Sequence, residues 1–185
     1  MRQLHWPEFP PTLSGDGLVL RGWRSDDAVA VHEACQDQDI QRWTTIATPY
    51  LMEYAAGFVG VFAAEQWRTH SGALFAVTSP DDAVVGSCGL TYVDGTELVA
   101  EVGYWTAPWA RGRGLAVAAL STLSRWALDI GVERLEALIE PDNLASCAVA
   151  AASGYDFEGV LRAKLLDGDT RRDLSVYARL DVHKG

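Results

Sequence analysis

Between Leu74 and Ile139 the period of the apolar residues changes, and neither an all-helical nor an all-β chain accommodates that change. Residues 74–78, 84–93 and 98–106 are β-branched and aromatic runs, separated by Ser-Pro-Asp-Asp and Asp-Gly-Thr-Glu, which are turn sequences. They predict three successive antiparallel strands. Leu115, Ala119, Leu123, Trp126 and Ile130 then recur at helical spacing up to Gly131, and 134–139 reads as a strand halted before Pro141. Strand, loop, helix and strand in that order predict a βαβ crossover with parallel strands. The fold class is therefore mixed α/β.

The flanks fit the same scheme. Upstream, 18–20 starts a short strand that breaks at Gly22, before a helix capped by Ser25 or Asp26. Residues 49–70 are Ala-rich with no Pro after the first position, so they read as helix despite Gly57 and Gly60. Downstream, Asn143 or Asp142 caps a helix that stops at Gly154, and strands over 157–166 and 174–180 are joined through the polar DGDTRRD turn. Residues 1–11 form a Pro-containing lead-in. No repeat, low-complexity tract or linker interrupts the chain, and 185 residues predict one domain over 1–185 with a core that needs no staple.

Composition excludes several classes of function. Fifteen Lys plus Arg against twenty-five Asp plus Glu give a net charge of −10, so attraction to a phosphate backbone is not the binding mode and no nucleic-acid partner is expected. Cys35, Cys88 and Cys147 are odd in number and widely spaced, which fits neither a disulfide framework nor a zinc site. His5, His32, His70 and His183 fall in no metal-ligating spacing, and no metal is expected. The N-terminus lacks the apolar core of a signal segment and no stretch reaches the roughly 18 apolar residues of a membrane span, so a cytoplasmic protein is expected.

Chemistry concentrates in residues 101–116, EVGYWTAPWARGRGLA, where an apolar strand runs through a short loop into a helix. Gly112 and Gly114 let the backbone approach an anion, the unpaired N–H groups of the first helical turn (Leu115, Ala116) point at it, and Arg111 and Arg113 can add charge-assisted bonds. Two common nucleotide cradles do not fit. A P-loop needs Gly-x-x-x-x-Gly-Lys-Ser/Thr and this loop has no Lys; a dinucleotide fingerprint needs a third Gly where Val117 stands.

The pattern Arg111-x-x-Gly114-x-Ala116 resembles the pyrophosphate loop Gln/Arg-x-x-Gly-x-Gly/Ala of the GNAT superfamily of acyl-CoA-dependent N-acetyltransferases. The resemblance runs from Leu18 to Leu180, through LVLRGWRSDDAVAV, AEVGYWTAPWARGRGLAVAAL and PDNLASCAVAAASGYDFEG, and is similar to the branch typified by the ribosomal-protein acetyltransferases RimJ and RimL. It implies acetyl-CoA as co-substrate, a primary amine as acceptor, and a homodimer. It also implies a sheet splayed between 102–106 and 135–139, with Gly103, Tyr104 and Trp105 holding the pantetheine arm and polarising the thioester carbonyl. Asn143 is implied as a further pantetheine ligand, Ser146 as the acid for the leaving thiolate, and Glu101 as the general base. Basic residues common in this branch on the helix after the Ser are replaced by Ala148 and Ala152, which leaves Arg111 and Arg113 to neutralise the 3′-phosphate.

Plainer roles stand beside these. The Gly pair can be only a tight turn, Glu101 only an ion-pair carboxylate, Ser146 only a helix-terminal hydroxyl, and Cys147 a structural thiol. Asn143 can cap and bind at once, since its amide has both donors and an acceptor. Trp43, Trp105 and Trp109 are placed near a pocket, Trp43 at the acceptor, with Trp23 and Trp126 in the core; the 49–70 helix and the loop before it are expected to wall the acceptor site. A protein N-terminus or a small-molecule amine is the expected acceptor, with direct attack in a ternary complex. A non-catalytic acyl-CoA sensor and a nucleotide-binding regulator remain as alternatives.

Overall fold

The computed structural model describes residues 3–181, so His183 and the first two residues of the lead-in lie outside the described residues. The runs of alternating and β-branched residues become strands β1 (Leu13–Gly15), β2 (Leu18–Arg21), β3 (Ala73–Thr78), β4 (Val84–Asp94), β5 (Val99–Thr106), β6 (Arg134–Ile139), β7 (Asp156–Asp167) and β8 (Thr170–Leu180). They form one sheet in the order β1-β2-β3-β4-β5-β6-β8-β7. Every pairing is antiparallel except β5 with β6, the two strands joined by helix α5 (Leu115–Asp129). The crossover and the mixed, mostly antiparallel sheet are as expected.

The β5–β6 ladder positions the site. It holds for three pairs only, Val99 with Arg134, Ala100 with Leu135 and Glu101 with Glu136. Beyond Glu101, β5 stays with β4 as far as Thr106, and β6 stays with β8 as far as Ile139, so the sheet opens between them. A register shift in β4 between Leu90 and Tyr92 sits beside the point of divergence, and such bulges increase local twist. Gly103 accommodates the extra residue: a Cβ there would come within 2.6 Å of Thr91 Cγ2.

Alternation along β5 sends neighbouring residues to opposite faces. Val102 and Tyr104 join the core under α5, where Leu120, Leu123 and Trp126 pack on Phe75 and Leu90. Trp105 instead packs on the second cluster, Val31, Ile40, Tyr50 and Val59, beneath α1 (Ala28–Ala34), α2 (Gln38–Trp43) and α3 (Met52–Gly57). Trp126 lies where expected. It stacks on Trp67 with centroids 6.0 Å apart, and Trp6 from the lead-in closes on Trp67 at 5.0 Å. Trp23 is only partly buried, at the edge of the second cluster.

Four local expectations need correction. A short strand, β1, precedes β2; Ser14 gave no apolar alternation strong enough to mark it. Neither Ser25 nor Asp26 caps the first helix: Asp27 accepts from Arg24 N at 2.8 Å and from buried Arg21 at 2.8 Å, so a tertiary ion pair organises that turn. The 49–70 helix starts at Met52 and includes a π-helical turn, Phe58–Phe62, between α3 and α4 (Ala63–Arg68), with Gly57 and Gly60 easing the change of winding. The DGDTRRD segment is mostly strand, because β7 and β8 pair up to Asp167 and Thr170 and leave only Gly168 and Asp169 to turn.

Among the described residues no helix is long and apolar enough to cross a membrane, and no group of three or more His, Cys, Asp or Glu could hold a metal ion.

Candidate acyl-transfer site

The loop after β5 is built by glycine. Gly112 and Gly114 both adopt φ +74, and nothing lies within 4 Å of a Cβ at either position, so backbone and open space meet there. Gly114 is the N-cap of α5 and no side chain caps the helix. The first-turn N–H groups therefore lack an intrahelical partner, at the positive end of a fifteen-residue helix dipole. They open onto a groove of about 670 Å³ lined by Gly112, Gly114, Leu115, Ala116 and Val117.

Helix α6 (Leu144–Ala152) forms the opposite wall. Asn143 caps it, its Oδ1 accepting from Ser146 N at 3.1 Å. Tyr104 Oη donates to the Ser146 carbonyl at 3.0 Å and ties α6 to β5 across the opened sheet. Burial pushes the Tyr104 hydroxyl well above its ordinary value, so it stays protonated.

The arginines depart from the simplest expectation. Arg111 lines the groove, but its guanidinium already pairs with Asp37, and with Asp39 at 3.2 Å, while its Nε donates to the Thr106 carbonyl at 3.3 Å. Asp37 is also the N-cap of α2, and Arg111 with the Asp39 and Ile40 N–H groups holds its carboxyl below the usual range. Arg113 donates to the Trp109 carbonyl at 3.1 Å and does not line the groove. Ala148 and Ala152 are exposed on α6 and add no charge. Trp109 is 42% exposed and walls neither cavity.

A second cavity of about 640 Å³ runs along β5 from Glu101 to Trp105. Glu101 and Gly103 contribute to it from β5, Trp43 and Ile46 from α2 and the loop that follows, and Phe58 and Phe62 from the π-helical turn. Burial first, then the Glu136 carboxylate, raises the Glu101 pKa, and Lys164 partly opposes them. Glu140 at the rim differs: burial works to raise it, but Arg42 at 2.9 Å and Arg172 at 3.1 Å hold it below its ordinary value.

Trp43, Thr44, Tyr104, Trp105, Asn143 and Ser146 line both cavities, so the two spaces adjoin through them. The structure thus brings the expected site residues together at these two cavities, except Arg113 and Trp109, which line neither. At residue level, Phe58, Phe62, Lys164 and Glu140 carried no sequence signal, because spacing along the chain does not show which residues of a helix or hairpin face a distant strand. Asp37 was equally silent, 74 residues from Arg111.

The model of the acetyltransferase (GNAT) domain matches residues 17–156 of the chain. The N-acetyltransferase YoaA of Bacillus subtilis is 26% identical over 170 residues, covering 91% of this chain and 96% of that protein. Among solved structures, RimJ of Mycobacterium smegmatis in complex with CoA-disulfide superposes with a TM-score of 0.82 at 24% identity, covering 96% of this chain and 90% of that one. The microcin self-immunity acetyltransferase MccE, in complex with acetyl-CoA and AMP, superposes at 0.80 with 19% identity, covering 90% and 93%. The opened sheet, the glycine-built helix start and the matched family agree: the chain belongs to the GNAT acetyltransferase family and is an N-acetyltransferase.

Proposed function

We propose that the chain acts as one GNAT domain that transfers acetyl from acetyl-CoA to a primary amine by direct attack in a ternary complex. The observation that carries this reading is the pair of adjoining cavities, one headed by uncapped backbone N–H groups, the other holding a carboxyl with a raised pKa.

The groove fits the co-substrate by its donor set. A diphosphate needs several hydrogen-bond donors on small residues, and the turn from Gly112 to Ala116 supplies them with no side chain in the way. Arg111 borders that cradle, and Arg113 stands outside it for the 3′-phosphate. The β5 edge past Glu101, which β6 leaves unpaired, offers Gly103, Tyr104 and Trp105 backbone groups to a pantetheine arm, with Asn143 across from them. When bound, acetyl-CoA supplies the activated acyl group.

Each remaining role falls to a residue at or beside the junction. The amine, held in the second cavity, arrives neutral or loses a proton to Glu101 directly or through water. A lysine-type amine of pKa about 10.4 gives up its proton at pH 7 at about 4.6 kcal/mol, an α-amine of about 7.7–8.0 at about 1–1.4 kcal/mol. The raised pKa of Glu101 makes it a better proton acceptor for either. The neutral amine adds to the acetyl carbon, its nitrogen then gives up its extra proton to Glu101 directly or through water, and the carbon–sulfur bond breaks as the adduct collapses to the amide; the thiolate takes a proton from Ser146, and release of the proton from Glu101 to solvent balances the one that restores the Ser146 hydroxyl. Tyr104 is engaged with the Ser146 carbonyl, which leaves Ser146 as the hydroxyl for that step.

A cytoplasmic setting and a homodimer are carried in this reading as proposals. The test is two-substrate kinetics of amine-dependent thiol release. Intersecting lines are expected for a ternary complex; parallel lines, or release that ignores the amine, would overturn the mechanism.

A further inference from the structure

The second cavity is built for a particular kind of amine. Its volume of about 640 Å³ is that of a small-molecule site, and its roof is aromatic. Phe58 and Phe62 stack with centroids 6.1 Å apart in the π-helical turn, and Trp43 and Trp105 continue that surface at the junction. Phe62 is 50% exposed, so the roof keeps apolar surface that no part of the described chain covers.

Charge inside the cavity is confined. Glu140 is committed to Arg42 and Arg172, while Lys164, an exposed residue of β7, lines the cavity and acts on Glu101 from its hairpin side. Glu101, on the β5 floor, is the carboxyl left to face an ammonium group. Floor and roof thus ask for opposite chemistries: a cation or its neutral amine below, and a bulky apolar body above. A hydrophilic amine satisfies only the floor. Thr44, Thr45 and Thr91 also line the cavity, but against Phe58 and Phe62 the backbone polar groups of a peptide N-terminus find no partner, whereas an apolar body does.

We infer that the acceptor is a small amphipathic primary amine whose apolar body, about the size of an aromatic ring, packs against Phe58 and Phe62 while its nitrogen lies toward Glu101. This inference rests on the acetyltransferase reading of the two cavities and adds the substrate class to it.

The test compares kcat/KM at saturating acetyl-CoA for phenethylamine, ethanolamine and a short peptide with a free Ala N-terminus. Calorimetry of phenethylamine against the CoA-loaded protein reads binding without turnover. Burial of the ring predicts a preference of about 10–100-fold for phenethylamine over both others. Phe62→Ala is expected to cut that preference and the phenethylamine affinity about 10-fold, and Phe62→Leu to restore most of each. Equal use of the two amines, preference for the peptide, no turnover of any of the three, or a preference untouched by Phe62→Ala would overturn the inference. Acetyl-CoA affinity and turnover together distinguish the failures: a protein that binds acetyl-CoA and acetylates the peptide or ethanolamine as well as phenethylamine, or ignores Phe62→Ala, loses only the substrate class, whereas one that binds no acetyl-CoA, or binds it and turns over none of the three, loses the acetyltransferase reading as well.

Discussion

The two cavities adjoin through the same six residues, yet they are made of different material. Side chains such as Trp43, Tyr104 and Val149 line the groove, but its end at the head of α5 is set by backbone: glycines at positive φ, a helix with no side-chain cap, and a strand edge whose neighbour has diverged. The second cavity is made of side chains from stretches far apart in the chain, among them α2 and its loop, the π-helical turn, β4, β5, β6 and the β7–β8 hairpin. Backbone geometry of this kind needs particular residues at fixed short spacing, so it leaves a motif in the sequence. A wall assembled from distant side chains needs only volume and polarity, so it can change without disturbing the groove.

Substitutions on either side test that difference. The largest effect is expected from Glu101→Gln, which removes the carboxylate proposed as proton acceptor while keeping the shape: a fall in kcat of about 10²–10⁴-fold with acetyl-CoA affinity unchanged, measured by steady-state kinetics beside calorimetry. A matching loss of acetyl-CoA affinity would show that the two cavities are not separable.

The same residue has a pH signature. Its folded pKa lies above the ordinary glutamate value because of burial and Glu136, so the folded chain binds the proton more tightly than the unfolded chain. Stability from this group is therefore greatest at low pH and declines as pH rises from the unfolded value, about 4.3, through the folded one. Glu101→Gln is expected to raise Tm at pH 7 and to leave it little changed near pH 3 in thermal scans, while wild-type activity rises with pH along a limb that the variant lacks.

A smaller effect is expected where the cavities meet. Asn143→Ala removes the cap of α6, worth about 1 kcal/mol, or a Tm lower by about 2–4 °C for a chain of this size. Because Asn143 borders both spaces, KM for acetyl-CoA and for the amine should rise together by a few fold. A rise in only one would assign Asn143 to that side alone.

The contrast between backbone and side chains also describes what the sequence made legible. β6 falls at Arg134–Ile139 as expected, because a run between Gly131 and Pro141 is bounded by residues whose own conformations end it. α5 likewise runs from Leu115, just past the glycine pair, to Asp129. Expectations failed where a tertiary contact outweighed local preference: Asp27 serves Arg21 rather than yielding the cap to Ser25, and cross-strand pairing draws most of a turn-rich hairpin sequence into β7 and β8. In the site, Gly112, Gly114, Asn143 and Ser146 were legible from motif order. The pairing of Arg111 with Asp37 and the inward faces of Phe58 and Phe62 were not, since they depend on how α2 and the π-helical turn dock on β5.

The account depends most on the main chain at the head of α5 gripping a diphosphate. Calorimetric titration of wild type and Gly114→Ala with acetyl-CoA, and with acetyl-pantetheine, which lacks the diphosphate, tests this directly. An alanine at φ +74 is strained by about 1–2 kcal/mol and adds a methyl group to the cradle. We predict one acetyl-CoA site in wild type, affinity about 10-fold weaker in Gly114→Ala, and weak acetyl-pantetheine binding that the substitution leaves within about 2-fold. Acetyl-CoA affinity unmoved by the substitution, or lost equally for both ligands, would contradict the account.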